Sequence, residues 1–252
     1  PQDGEVLVLS NGVLMSTASW GFQTAVFARH YRVLLYDCRG MWKSEHPPGP
    51  YTMEQHADDL AGLLEALNIE RAHLAGISYG AEVSMAFAAK YPEKVRSLVL
   101  SSAVSKAGAV LDGMIDTWSA AARAHDPQRL YAESYMLNFS AAYLQANQAV
   151  LAAAAARYSA LDMDTVLELL LCFKNMDLTE RLKLIKAPTL VMVGEEDILK
   201  PRPYSELIAR EIPGAQLVVV PGAGHALCLE KPVVFNSLVL GFLAQLLREG
   251  KE

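Results

Sequence analysis

The stretch Gly76-Ile77-Ser78-Tyr79-Gly80 follows an apolar run, Ala72-His73-Leu74-Ala75, and leads into a helical pattern from Ala81 to Tyr91. A strand interior has little use for glycine, and a helix start needs a single capping residue. Two glycines flanking one serine therefore specify a turn too tight for larger neighbours. In a strand-to-helix turn of this G-x-S-x-G form the serine is forced into a strained backbone conformation, and its hydroxyl stands clear. The helix behind it presents free N–H groups and the positive end of its dipole. Both suit an oxyanion formed when the serine attacks a carbonyl. The plainer reading of Ser78 is a helix cap.

Outward from that turn, short apolar runs recur at Val6–Leu9, Val33–Tyr36, Leu98–Leu100, Leu190–Val193 and Leu217–Val220. They are continuous rather than alternating, as expected for strands covered on both faces. Helical patterns lie between them: Met53 to Leu67, with Leu60, Leu63, Leu64 and Leu67 on one face, then Tyr204 to Ile212 and Val233 to Leu247. Strands alternating with helices predict a mostly parallel sheet with helices on both faces. The alternation stops over residues 104–186, a stretch rich in Ala, Leu, Met and Tyr that reads as helices near 109–125, 128–138, 140–157 and 162–175. The expected organisation is an α/β core of residues 1–103 and 187–252, with 104–186 as a helical cap inserted before the last two strands.

Composition narrows the function. The 252 residues, 52% hydrophobic and 20% charged, suffice for one large core. No apolar stretch reaches membrane-spanning length, and the Ala-rich run at 151–156 is closed by Arg157. A soluble protein with no membrane partner is expected. A net charge of −6, from 22 basic and 28 acidic residues without a basic stripe, argues against a nucleic-acid partner. Cys38, Cys172 and Cys228 are sparse and far apart, which reads as reduced core thiols and a cytoplasmic location. No signal-peptide pattern opens the chain, and Pro1 stands almost on the first strand, which leaves room for an upstream segment. With no metal motif, phosphate loop or dinucleotide fingerprint, no metal and no cofactor are expected.

A serine nucleophile needs a base and an acid to orient it. Gly194-Glu195-Glu196-Asp197 follows the fifth apolar run, and Pro221-Gly222-Ala223-Gly224-His225 follows the sixth. Both groups fall at carboxyl ends of strands, where open α/β sheets place their sites. Ser78 would be the nucleophile, His225 its base, and Asp197 the group holding the imidazole tautomer. Glu195 and Glu196 compete with Asp197, and a solvated acidic loop is the plain reading of all three. His30, His46, His56, His73 and His125 read as surface or packing histidines, since none sits in a glycine-bracketed loop after a strand.

The order Ser78, Asp197, His225 resembles that of α/β-hydrolases, and the likeness covers nearly the whole chain. Its landmarks are Asn11-Gly12, Tyr36-Asp37-Cys38-Arg39-Gly40, the serine turn, Gly194 to Asp197, and Gly222 to His225. Within that superfamily the chain resembles 3-oxoadipate enol-lactonases and carboxylesterases, through Leu9–Gly12, Pro47–Thr52 and Ile69–His73. The resemblance implies a cofactor-independent serine hydrolase for a small ester or lactone. It implies an oxyanion hole from the backbone N–H groups of Tyr79 and Val13. Some relatives carry the acid after the fourth strand, but here that strand runs into Ser101-Ser102-Ala103, which supports Asp197.

Two positions depart from the family. Asn11 stands where a histidine is common, and is a candidate for substrate binding or for fixing its loop. Trp42 replaces a usual glycine; it would narrow the entrance or pack under the cap. Tyr135, Phe139 and Tyr143 are substrate-pocket candidates, as are Tyr131, Met136, Tyr158, Met163 and Phe173, although aromatic stripes at helical spacing more often form core. Arg123 and Arg157 are candidates for binding a substrate carboxylate, although a solvated cap surface explains them better. Asn11–Trp20 also resembles 3-hydroxyacyl chain synthases, so acyl transfer stays open beside carbon–carbon hydrolysis, perhydrolysis and a ligand receptor on this fold.

Overall fold

The computed structural model describes residues 4–249. Six strands form one sheet: β1 (Val6–Ser10), β2 (Arg32–Tyr36), β3 (Ala72–Ile77), β4 (Val95–Ser101), β5 (Thr189–Gly194) and β6 (Gln216–Val220). Their order is β2-β1-β3-β4-β5-β6, and every pairing is parallel. The apolar runs are continuous because both faces are covered. Along β1, Val6 and Val8 pack into one core with Leu60, Leu74 and Phe87. Leu7 and Leu9 pack into the other with Trp20, Phe27 and Phe235. Side chains alternate across a strand, so a single run feeds two hydrophobic layers.

The helices covering one face are α2 (Met53–Ala66), α3 (Tyr79–Lys90) and α9 (Arg202–Glu211); α1 (Gly21–Phe27) and α11 (Pro232–Glu249) cover the other, with the short α10 (Leu227–Glu230) leading into α11. Helix α1 was not anticipated from sequence. It has only seven residues, and its pattern is too short to show a period, although Gln23 and Phe27 are buried.

Five helices lie between β4 and β5: α4 (Ala109–Arg123), α5 (Pro127–Ser134), α6 (Ala141–Ala146), α7 (Gln148–Tyr158) and α8 (Met163–Asn175). The single helix expected over 140–157 is two. Asn147 leaves helical geometry at φ −124°, ψ 26°, and its side-chain amide donates to the Tyr143 carbonyl at 2.9 Å. The helix expected over 128–138 ends at Ser134 and tightens into a 3₁₀ turn over Tyr135–Asn138. There the Asn138 amide donates to the Ser134 and Tyr135 carbonyls at 3.0 Å each. Helix α8 starts on Asp162, whose carboxylate accepts from the Asp164 and Thr165 N–H groups.

Because all strands are parallel, their carboxyl ends share one edge. The chain runs outward to β2 on one side of β1 and to β3 on the other, so the sheet's topological switch point lies between β1 and β3. Ser78 is the first residue beyond β3. No helix of the described residues is long and apolar enough to cross a membrane, and all three cysteines are free and buried.

Candidate active site

Ser78 adopts φ 52°, ψ −122°, a backbone region that non-glycine residues rarely occupy. Its backbone is held there from two sides. Its N–H donates to the Ser101 carbonyl at 2.9 Å, and its carbonyl accepts from Ala81 and Glu82 at 2.8 and 3.1 Å. Both flanking glycines are required by close approach. A Cβ on Gly76 would stand 2.4 Å from the Gly80 oxygen, and one on Gly80 would stand 2.1 Å from the Ser10 oxygen. The sharp turn is thus built from backbone packed on backbone.

His225 and Asp197 arrive on the loops after β6 and β5. The imidazole Nδ1 and Asp197 Oδ2 are 2.9 Å apart, and both side chains are buried. The other carboxylate oxygen accepts from the Leu199 and Lys200 N–H groups at 3.1 and 2.8 Å. The His225 carbonyl accepts from Ser102 Oγ at 2.9 Å. Asp197 is therefore the acid that reaches the imidazole. Glu195 and Glu196 are exposed, and Glu195 caps the neighbouring loop through the Gly222 N–H at 3.1 Å. Ser78 and His225 line the same cavity. Among the described residues no hydrogen bond joins Ser78 Oγ to the imidazole.

The loop after β1 lies over Ser78: a Cβ on Gly12 would stand 3.5 Å from the Ser78 Cβ. Val13 lines the cavity. Neither the Val13 nor the Tyr79 N–H has a hydrogen-bond acceptor among the described residues. The Tyr79 side chain turns into the core, where its hydroxyl meets His56 Nε2 at 2.8 Å. Burial pushes the His56 imidazole down to about 4 and the Tyr79 phenol well up, so the neutral imidazole accepts and the phenol donates.

Asn11 is not on the cavity wall. It is fully buried, donates to the Tyr36 carbonyl and Asp37 Oδ1 at 3.1 and 3.0 Å, and accepts from the Trp20 indole at 2.7 Å. An amide both donates and accepts, so one side chain ties β1, β2 and the following loop together. Trp42 does line the cavity. Its φ of 45° explains why glycine suits this position. Its indole donates to the Leu14 carbonyl at 3.1 Å, and the Arg157 guanidinium lies 5.4 Å from its ring centre. Arg157, for which solvated surface is the simpler reading from sequence, stands on the cavity wall.

Tyr135 and Phe139 are wall residues, joined by Tyr158 and Phe173. Tyr143 is not among the lining residues: it stacks on Phe139 with centroids 4.8 Å apart and planes 12° from parallel, one layer behind the wall. Tyr131, Met136 and Met163 are likewise absent from the lining. The empty space of the cavity, together with the open solvent at its mouth, is about 1110 Å³, and among the described residues no acidic side chain lines it.

Sequence reading missed a buried ion pair beside the acid loop. Lys200 Nζ lies 2.9 Å from both carboxylate oxygens of Glu82, with the two side chains 1% and 0% exposed. Burial pushes the Glu82 carboxyl up and the Lys200 ammonium down, while each charge works to keep the other ionised. A signal was present in the sequence. Glu82 is the one charged residue between His73 and Lys90, and Lys200 follows the apolar pair Ile198-Leu199.

The model of the alpha/beta hydrolase fold family matches residues 5–232, and the chain belongs to that family. It is 31% identical to RutD of Pantoea ananatis, a protein named for carbamate hydrolysis, over 96% of this chain and 89% of that one. Among solved structures, an enol-lactonase from Burkholderia xenovorans superposes with a TM-score of 0.91 at 29% identity, covering 96% of this chain and 92% of that chain. A thermophilic esterase from Thermogutta terrifontis superposes with a TM-score of 0.88 at 28% identity, covering 96% and 90%.

Proposed function

We propose that the protein hydrolyses a small-to-medium carboxylic ester or lactone through an acyl-enzyme on Ser78. The observation that carries this reading is the meeting, at one sheet edge and on one cavity, of a serine in a strained turn with an imidazole bonded at 2.9 Å to a buried carboxylate. Ser78 Oγ attacks the substrate carbonyl as His225 Nε2 takes its proton, and Asp197 holds Nδ1–H and stabilises the imidazolium. The Val13 and Tyr79 N–H groups, both without acceptors, receive the oxyanion. The intermediate collapses, His225 returns the proton to the leaving alkoxide, and the alcohol departs. Water, deprotonated by His225, then attacks the acyl-enzyme, and its collapse frees the acid and restores Ser78. No cofactor enters these steps.

Residues 104–186 act in this reading as a cap, supplying Tyr135, Phe139 and Tyr158 to the wall opposite the strand ends. The apolar lining suits an acyl chain, and Arg157 stands where a polar end of the substrate would reach.

The test is a panel of p-nitrophenyl esters of graded acyl length, with lactones and carbamates alongside and a competing alcohol in a parallel series. Turnover of esters or lactones to the free acid, with carbamates slower, is expected. Cleavage of carbamates alone would replace the proposed substrate class. Acyl ester as the main product in the presence of the alcohol would replace hydrolysis by acyl transfer.

A further inference from the structure

Glu82 and Lys200 are both almost wholly buried, and nothing in the chemistry above uses them. Burying two charges is costly and is offset only with good geometry and satisfied partners, so such a pair is weak evidence of added stability. Its place in the fold is informative. Glu82 lies one turn along α3 from Ser78, and its N–H donates to the Ser78 carbonyl at 3.1 Å. Its carboxylate accepts from the Val104 N–H, just beyond β4, at 2.9 Å, and from Lys200 Nζ. The Lys200 N–H in turn donates to Asp197 Oδ1 at 2.8 Å, and Asp197 Oδ2 holds His225. Lys200 Nζ also stands 4.5 Å from the centre of the Phe173 ring on α8.

These contacts form an unbroken path from the nucleophile's main chain to the imidazole, and two of its links join residues far apart in sequence: the ion pair, across 118 positions, and the Asp197–His225 bond, across 28. The loop carrying Asp197 is otherwise tied to β6 and its following loop, through Glu195 and Glu196. We infer that Glu82 and Lys200 are positioning residues, an internal clamp that sets the acid loop against the helix of the serine turn and so fixes the Asp197–His225 hydrogen bond in register with Ser78. The inference rests on the triad reading above. A displacement of about 1 Å in such an array costs on the order of 100-fold in rate, so a rigid tie between α3 and the acid loop, 118 positions apart in sequence, has a catalytic use that justifies two buried charges.

Single truncations would leave one charge buried and alone, so the informative variant is Glu82→Gln/Lys200→Met. It removes both charges and keeps an acceptor for the Val104 N–H. A neutral pair of similar volume is expected to fold, with a melting temperature near the parent's. Two quantities are read: the labelling rate with a small p-nitrophenyl methylphosphonate, which avoids the deep cavity, and the low-field proton resonance of the His225–Asp197 hydrogen bond, which needs no substrate. The clamp predicts labelling slower by roughly 10- to 100-fold and a shifted or broadened resonance. A pair that only supports the fold predicts that the folded double variant labels like the parent. Should the double variant not fold, Glu82→Asp keeps both charges and draws the carboxylate back by one methylene, and the clamp predicts the same two changes at smaller size. Parent-like values of either quantity in the folded variant overturn the inference. Absence of labelling in the parent sinks the esterase reading instead, and the resonance alone then decides the clamp.

Discussion

The strand ends and the helices facing them build one cavity by different means. Ser78, Asp197 and His225 are set by backbone hydrogen bonds and by glycines whose neighbours leave no room for a Cβ, at Gly76, Gly80 and Gly194. Across the cavity, Tyr135 rests on Phe139, Tyr131 and Tyr158, with ring centroids 5.3, 4.9 and 6.0 Å apart. Ring contacts of this kind fix a surface loosely and tolerate replacement, because each contributes only about 0.5–1.5 kcal/mol. The wall at the strand ends is therefore committed to one geometry, and the facing wall can change its shape without disturbing it. In the proposed reading, chemistry belongs to the first region and choice of substrate to the second.

The largest effects should fall on the strand-end side. Ser78→Ala is expected to lower ester turnover by on the order of 10⁶ with the fold intact; circular dichroism and a steady-state assay check both halves of that statement. Asp197→Asn should cost roughly 10⁴ through the wrong imidazole tautomer, while Glu195→Gln and Glu196→Gln stay near the parent. A damaging Glu196→Gln would move the acid by one residue.

His56 gives the strand-end side a stability signature. Its folded value of about 4 lies below the ordinary 6.5, so the unfolded chain binds the extra proton between those values. The contribution is complete above about pH 6.5 and is lost as pH falls toward about 4, a change on the order of 3 kcal/mol. Urea unfolding at about pH 7 and pH 4.5 should show that slope, and His56→Gln should flatten it.

The smallest effects belong to the side chains that shape the cavity, Trp42 in the loop after β2 and the aromatic residues of the facing wall. Trp42 lines the main cavity and also a second, smaller one beyond it, shared with His46 and Thr165. Trp42→Gly suits the left-handed backbone and joins the two spaces, so preference should move to longer acyl chains by about 1–3 kcal/mol per methylene accommodated. Tyr135→Ala and Phe139→Ala should shift the same profile, and Tyr143→Ala, one layer back, less. Unchanged profiles in all four would end the division of labour drawn here.

The sequence made the two regions unequally legible, for the same physical reason. All six strands showed as continuous apolar runs because both faces of the sheet are buried, and the serine turn showed because only glycine fits beside it. Choosing among three consecutive acids was harder, since what separates Asp197 from its neighbours is burial and two N–H donors two and three residues on. The Glu82–Lys200 contact spans 118 positions, beyond any local pattern. Among the helices, Tyr143 and Phe139 share one aromatic stripe, and only the packing decides which of the two meets the cavity.

The most direct test of the central claim is the site and stoichiometry of covalent labelling. After reaction with a p-nitrophenyl phosphonate, intact mass and peptide mapping should show one phosphonyl group per chain, on the peptide containing Ser78, with an equal release of p-nitrophenolate and no adduct in Ser78→Ala. A folded parent that takes no label, or takes it on another residue, would contradict the account.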